Sequence, residues 1–353
     1  MNELQNSDED NMRVAFSLHG KPDLRLVAKS QPLQSLIREL VERHNIEGSG
    51  DDYCLVFETG SNNRDYCIVT EKNRAEMNAK YGNVIILSDS PGKSTSRILS
   101  ALVAGGNVEE RSQAIADLEL MAGDSTFALE FFSRKGMDSV MQLLVVSCLS
   151  TEDTVSLLHS VVLLMEHEIV SMDELVVDAE FIGQLARFIN APLTDPPILL
   201  HCLHILVMAV LGTTGSSSAQ TDSGIVGGTS GAIVASVTKP SSAAYKIDRL
   251  ERQLALSNLV TLLAKNNSEI QLASLKLINA LLRSVGVERR TDMVRMLSEK
   301  PSRTIIKDHL LLLADGVGMA GEEKWSELNY ELYLLQYYIL QRQENTMHFI
   351  IAN

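Results

Sequence analysis

LALSNLVTLLAKNNSEIQLASLKLINALLR, residues Leu254–Arg283, is the stretch whose reading decides the fold. Its first half carries Leu254, Leu256, Leu259, Val260, Leu262 and Leu263. Its second half carries Ile270, Leu272, Leu275, Leu277, Ile278, Leu281 and Leu282. The polar run Lys265-Asn266-Asn267-Ser268-Glu269 separates them. Apolar residues recurring three and four apart give each half one helical apolar face. Two short amphipathic helices cannot bury both faces on each other alone, so they require further helix pairs beside them.

The chain supplies such pairs. Leu99, Leu102 and Val103 precede a break at Gly105-Gly106-Asn107, and Ala114, Ile115, Leu118 and Met121 follow. Phe127, Leu129, Phe131 and Phe132 form a short apolar link ending at Gly136. A second pair spans Met137 to Met165, and a third spans Ile182 to Met208 with Pro192, Pro196 and Pro197 between its halves. Leu254–Arg283 is the fourth, and Val287–Leu313 and Glu322–Ile351 add more helices. Leu99, Val140 and Leu185 hold equivalent places about 41 and 45 residues apart, the period of HEAT and armadillo repeats. The next interval is too long by one loop. The Gly-, Ser-, Thr- and Ala-rich stretch 212–248 accounts for the excess, as a flexible insertion on the solenoid surface. A linker between two helical domains is the alternative for its middle.

Bulk composition agrees. In 353 residues, 45% are hydrophobic and only 5% aromatic, which favours stacked helices over a β-sandwich. A net charge of −14 excludes a nucleic-acid binder, which needs basic surface. Between Arg97 and Glu180 stand 15 Asp/Glu and 4 Lys/Arg. This is either a solvated acidic flank or a docking face for a basic partner or a basic part of the same protein. Four dispersed cysteines form no CxxC pair, which reads as free thiols in a reducing compartment. The polar lead is not a signal peptide, and no apolar run is long enough to span a membrane.

Residues 1–11 read as a disordered lead. Val14, Phe16 and Leu18, then Leu24, Leu26 and Ala28, alternate around the turn Gly20–Asp23, giving a hairpin. Pro32 opens a helix whose stripe is Leu33, Leu36, Ile37, Leu40 and Val41. Strands are expected at Tyr53–Phe57, Tyr66–Val69 and Val84–Leu87, with a loop at Thr70–Gly82. The order β-β-α-β-β-β reads as a ubiquitin-like β-grasp over residues 12–90. Ser88–Thr95 reads as a linker, and armadillo-like repeats fill 97–351. The fold class is thus mostly α, a small α+β module ahead of an α-solenoid.

Catalytic constellations do not emerge. Pro91-Gly92-Lys93-Ser94-Thr95 has the tail of a phosphate-binding loop, but Leu87 stands where its first glycine is needed. His201 and His204 share a helix with Cys202 and lack further ligands in sequence, so packed histidines are the better reading. Glu166-His167-Glu168 lacks the second histidine of a zinc-protease motif. No enzyme, cofactor or metal is expected, and a solenoid's concave surface points to an interaction scaffold.

Several motifs then carry a resemblance. Tyr66-Cys-Ile-Val-Thr-Glu-Lys-Asn-Arg74, Phe127-Ala-Leu-Glu-Phe131 with Gly136, Leu164-Met-Glu-His-Glu-Ile-Val-Ser171, Ile278-Asn-Ala-Leu281 with Glu288-Arg-Arg290, and Tyr333-Leu-Leu-Gln336 stand in order across Met12–Arg342. The chain resembles the N-terminal half of the ELMO (engulfment and cell motility) family. The resemblance implies a Ras-binding domain of ubiquitin fold followed by armadillo-like repeats. It implies binding of a Rho- or Arf-family small GTPase in its GTP form, and work with a DOCK-type guanine nucleotide exchange factor to activate Rac. It further implies an autoinhibitory contact with the C-terminal half, and a cytoplasmic protein recruited to the plasma membrane. The later ELMO domain, pleckstrin-homology domain and proline-rich tail of the family are not in this sequence, and 212–248 is longer than the family's loop.

The resemblance places Ile46 at an apolar GTPase-contact position. The competing reading is a hydrophobic contact that caps the preceding helix. Glu71, Lys72, Asn73 and Arg74 are loop residues that could meet a GTPase or form a solvated turn. A formin-like module, in which armadillo repeats hold a helical tail peptide, is the alternative function. It would require a helical N-terminal segment and a basic helix for the acidic flank.

Overall fold

Met12, Val14 and Phe16 alternate with Arg13, Ala15 and Ser17 along strand β1 (Asn11–Leu18) of the computed structural model, and the first three are buried. The structure describes residues 10–18, 21–58, 66–79, 82–103, 107–146, 149–168, 179–215, 254–311 and 322–351. Strand β2 (Lys21–Ala28) pairs antiparallel with β1, from Asn11 opposite Ala28 to Leu18 opposite Lys21. Helix α1 (Leu33–Arg43) follows, its stripe Leu33, Leu36, Ile37, Leu40 and Val41 fully inward. Strands β3 (Tyr53–Phe57) and β4 (Val84–Asp89) pair antiparallel, and β4 pairs parallel with β1. The sheet order is β2-β1-β4-β3. The α1 stripe shares one core with Met12, Val14, Phe16, Val27, Leu55, Met77 and Ile85, which is the β-grasp arrangement.

Two local expectations change. The strand expected at Tyr66–Val69 is a single bridge, Val56 to Ile68. Phe57 N–H donates to Cys67 O at 3.0 Å and Val69 N–H to Leu55 O at 2.7 Å. The outward-facing groups of Ile68 are claimed by side chains. Its N–H goes to Asp124 Oδ2 at 2.8 Å, and its carbonyl accepts from Asn73 Nδ2 at 3.0 Å. The expected loop Thr70–Gly82 contains a short 3-10 turn, Arg74–Met77, that drives Met77 into the core.

The expected linker at Ser88–Thr95 is a helix start. Helix α2 (Pro91–Ala101) begins one residue after β4, with Ser90 as its cap and Pro91 in its first turn, where the missing N–H costs nothing. Ser90 N–H donates to Asp52 O at 2.8 Å, and Ser94 and Thr95 are buried. Gly92-Lys93-Ser94 therefore forms a packed turn, with Lys93 Nζ paired to Asp89 at 2.7 Å.

The chain divides into two compact units, Met1–Ile169 and Val170–Asn353. In the first, α2 is followed by α3 (Val108–Met121), α4 (Ser125–Ser133), α5 (Gly136–Val146) and α6 (Thr151–Glu166). Asp124 caps α4 through Oδ1, which accepts from Thr126 and Phe127 N–H at 2.8 and 3.0 Å. Its other oxygen holds Ile68, so one buried carboxylate joins the sheet to the helices.

The second unit contains α7 (Ala179–Asn190), α8 (Pro196–Gly215), α9 (Leu256–Leu262), α10 (Ser268–Ser284), α11 (Val287–Leu297), α12 (Lys300–Ile305) and α13 (Glu322–Ile351). The opening stretch forms α9 and α10. Contrary to a one-faced helix, α10 is buried at every position from Ile270 to Leu282 except Lys276, because α8, α9, α11 and α13 all pack on it. Two of its buried amides donate hydrogen bonds, Gln271 Nε2 to Leu263 O at 2.9 Å and Asn279 Nδ2 to Glu331 Oε2 at 2.7 Å. Helix α8 runs four residues into the expected insertion 212–248, and the remainder of that stretch lies outside the described residues.

Candidate functional site

The β-grasp sheet leaves β2 at an edge, and the hairpin register decides what that strand shows. Val14 stands opposite Arg25, and Arg13 and Ala15 stand opposite Leu26 and Leu24. Burial of Val14 and Phe16 therefore turns Arg25 inward and Leu24 and Leu26 outward, where they are 69% and 65% exposed. The expected hairpin is present, and its register sets the alternating Leu24 and Leu26 on the face away from the core. The turn expected at Gly20–Asp23 is shorter than that, since β2 already begins at Lys21, and Lys21, Pro22 and Asp23 pair with Leu18, Ser17 and Phe16.

Arg25 ties this edge to the end of α1. Its Nε donates to Asp23 Oδ2 at 2.6 Å, its Nη2 donates to His44 Nε2 at 2.8 Å, and Glu39 lies 3.7 Å from Nη1. Sequence reasoning passed over Arg25, and named His44 only as a neighbour of Ile46.

Helix α1 ends in a tight left-handed cap. Asn45 has φ of 51°, Asn45 N–H donates to Glu42 O, and Ile46 N–H donates to Val41 O at 3.0 Å. This is the Schellman pattern, in which an apolar residue just past the cap packs back on the helix. Ile46 occupies that place, half-buried against the β-grasp core.

The loop residues separate by role. Glu71 Oε1 accepts the N–H of Leu33 at 2.9 Å, at the helix start where Pro32 supplies no side-chain cap. That bond, with the Arg74 guanidinium at 2.7 Å, holds the Glu71 carboxyl below its usual range. Arg74 Nη2 donates to Gln31 O at 2.7 Å. Asn73 Oδ1 accepts from Thr70 N–H at 2.7 Å, closing the turn. Lys72 is exposed.

The acidic flank contributes a cleft of about 630 Å³ in the first unit, lined in part by Tyr66, Gln113, Asp117, Glu119 and His159. Its carboxylates already have partners, Asp117 with Arg97 at 2.6 Å and Glu119 with His159 at 2.8 Å. Among the described residues, no group of three or more His, Cys, Asp or Glu could hold a metal ion, and no helix is long and apolar enough to cross a membrane.

With this geometry in place, the chain was compared with known proteins. Human engulfment and cell motility protein 2 is 26% identical over 332 residues, covering 93% of this chain and 40% of that protein. Human engulfment and cell motility protein 1 is 26% identical over 353 residues, covering 96% and 42%. Bovine engulfment and cell motility protein 3 is 26% identical, covering 92% and 43%. The chain thus spans about two-fifths of the length of these relatives. A designed armadillo repeat protein in complex with a (KR)4 peptide aligns at 14% identity and TM-score 0.35, over 68% of this chain and 99% of that one, too distant to carry an argument. The family profile "ELMO, armadillo-like helical domain" matches residues 126–311, more than half of the sequence. The chain belongs to the ELMO family.

Proposed function

We propose that this chain is the GTPase-reading half of an engulfment and cell motility adaptor. The observation that supports it is strand β2 at an edge of the described β-grasp sheet, with Leu24 and Leu26 exposed. An exposed edge invites a partner strand: main-chain hydrogen bonds give affinity, and alternate side chains give selectivity. The partner is a Rho- or Arf-family small GTPase in its GTP form, as the family resemblance implies. Leu24 and Leu26 are the apolar anchors, with Ile46 and Lys72 on the rim. Glu71, Asn73 and Arg74 shape the loop behind Lys72 more than they touch the partner. The module is residues 12–90, and the armadillo-like array is 97–351.

The adaptor works with a DOCK-type exchange factor to activate Rac in actin remodelling, migration and engulfment, through regions of the relatives that this chain does not span. The C-terminal half folds back on the repeats to hold the protein inactive, and partners recruit it from the cytoplasm to the plasma membrane. The strands at Asn11–Asp89 count against a formin-like module, whose GTPase-binding segment is helical.

A pull-down with GTP- and GDP-loaded Rho- and Arf-family GTPases tests the reading. Capture of a GTP-loaded form alone supports it, and equal or absent capture in both states overturns it. Leu26→Glu should weaken capture by about tenfold or more, as expected when an apolar anchor is lost from an interface, with the thermal midpoint unchanged.

A further inference from the structure

Helix α13 has two apolar faces, and among the described residues only one is buried. Leu328, Leu332 and Leu335 are buried and point into the second unit, where α13 packs on α10 and α11. On the opposite face Tyr330, Tyr333, Tyr337 and Leu340 are 60%, 64%, 50% and 57% exposed. Their spacing of three, four and three is the a/d spacing of a coiled-coil seam. The apolar stripe ends at Leu340, since the next position at this spacing is Glu344, and α13 itself runs on to Ile351.

The flanks of this seam say what covers it. Positions beside the a/d stripe are Asn329, Leu334, Gln336, Gln341 and Gln343, none charged, in a chain that is 22% charged. Charged flanks choose a different partner helix by complementarity, whereas a neutral flank meets its own copy without repulsion. Amide side chains and tyrosine hydroxyls both donate and accept, so each can pair with itself across a two-fold axis. The three exposed tyrosines and Leu340 would bury roughly 500 Å² per copy, about 1,000 Å² in a pair, the lower limit for a specific interface.

We propose that α13 is a homotypic docking surface, through which two copies of this chain pair along Tyr330, Tyr333, Tyr337 and Leu340. The proposal is independent of the GTPase reading.

Sedimentation of the full 353-residue chain across a concentration series tests it. The expected result is a monomer–dimer equilibrium. The double variant Tyr333→Lys/Tyr337→Lys should raise the dissociation constant by about a hundredfold, as for two lost hot-spot residues. Tyr333→Glu/Tyr337→Glu should do the same, and mixing the two variants should restore the dimer through opposite charges. That rescue also shows that both variants are folded. A chain that stays monomeric at every concentration overturns the proposal. So does a dimer that neither variant dissociates, or a mixture of the two that does not reassociate.

Discussion

Glu71 illustrates how a residue chosen for one reason serves another. Its position in a charged loop left it as either a partner contact or part of a solvated turn, and its carboxylate caps α1 from 38 positions away, where Pro32 cannot. A carboxylate at a helix N-terminus also meets the positive end of the helix dipole. Because the group is more than half exposed, solvent screens much of this. Glu71→Gln should cost about 0.5 kcal/mol, the low end for losing a cap, in urea unfolding at neutral pH. The folded carboxyl sits below its usual value of 4.5, so its contribution is present at neutral pH and fades as pH falls through the lower, folded value. The difference between wild type and Glu71→Gln should therefore shrink below about pH 4.5 and not at higher pH. Ile46 was legible as a choice between two roles, and the left-handed Asn45 puts it in the helix-capping place. No sequence pattern predicts a bond such as Glu71 to Leu33, because it depends on two loops meeting in space.

Among elements, the helical periods were read correctly and the faces less so. Apolar spacing located the helices of both units because burial imposes a 3.6-residue period on them. The same spacing could not say that α10 is buried at every position from Ile270 to Leu282 except Lys276, since that depends on how many helices surround it. Nor could alternation in β2 say which face is inward, because the register is set by β1. The stretch 127–132, expected as a short link ending at Gly136, is instead part of helix α4, and Gly136 opens α5. Lys135 turns left-handed with φ of 57°, and a Cβ on Gly136 would lie 2.4 Å from the Phe131 ring. Phe131 is fully buried and stacks on Phe127 at 5.7 Å, so the ring has no room to retreat. Gly136→Ala should destabilise the chain by about 1–3 kcal/mol through overpacking. Gly123→Ala, where nothing lies within 4 Å, is the control in the same denaturation series.

For the whole molecule, the boundary between sheet and helices was the least legible feature. A Pro-Gly-Lys-Ser run between a strand and a helical region looks like a hinge, but the hinge is a capped helix start. The first unit instead extends from the sheet through α6, and Asp124 bonds across the boundary between sheet and helices. Its two oxygens serve three N–H groups, at Ile68, Thr126 and Phe127. Asp124→Ala should cost about 2–4 kcal/mol, a lost cap plus a buried N–H left without a partner. Hydrogen exchange should then speed up at Ile68 together with the first turn of α4. Protection confined to one of the two sites would mean that the carboxylate does not join them.

The parallel pairing of β1 with β4 has a mechanical consequence. Ala15, Phe16 and Ser17 lie beside Val84, Ile85 and Ile86 with both strands running the same way. Tension drawn between the start of β1 and α2 therefore pulls the two strands in opposite directions along their length. Every bond between them is loaded together, as in a lap joint, and none can be peeled off first. With α2 leaving β4 after a single residue, no slack absorbs the pull before it reaches that joint. A partner seated on the β2 edge would thus stay gripped while the chain is under traction.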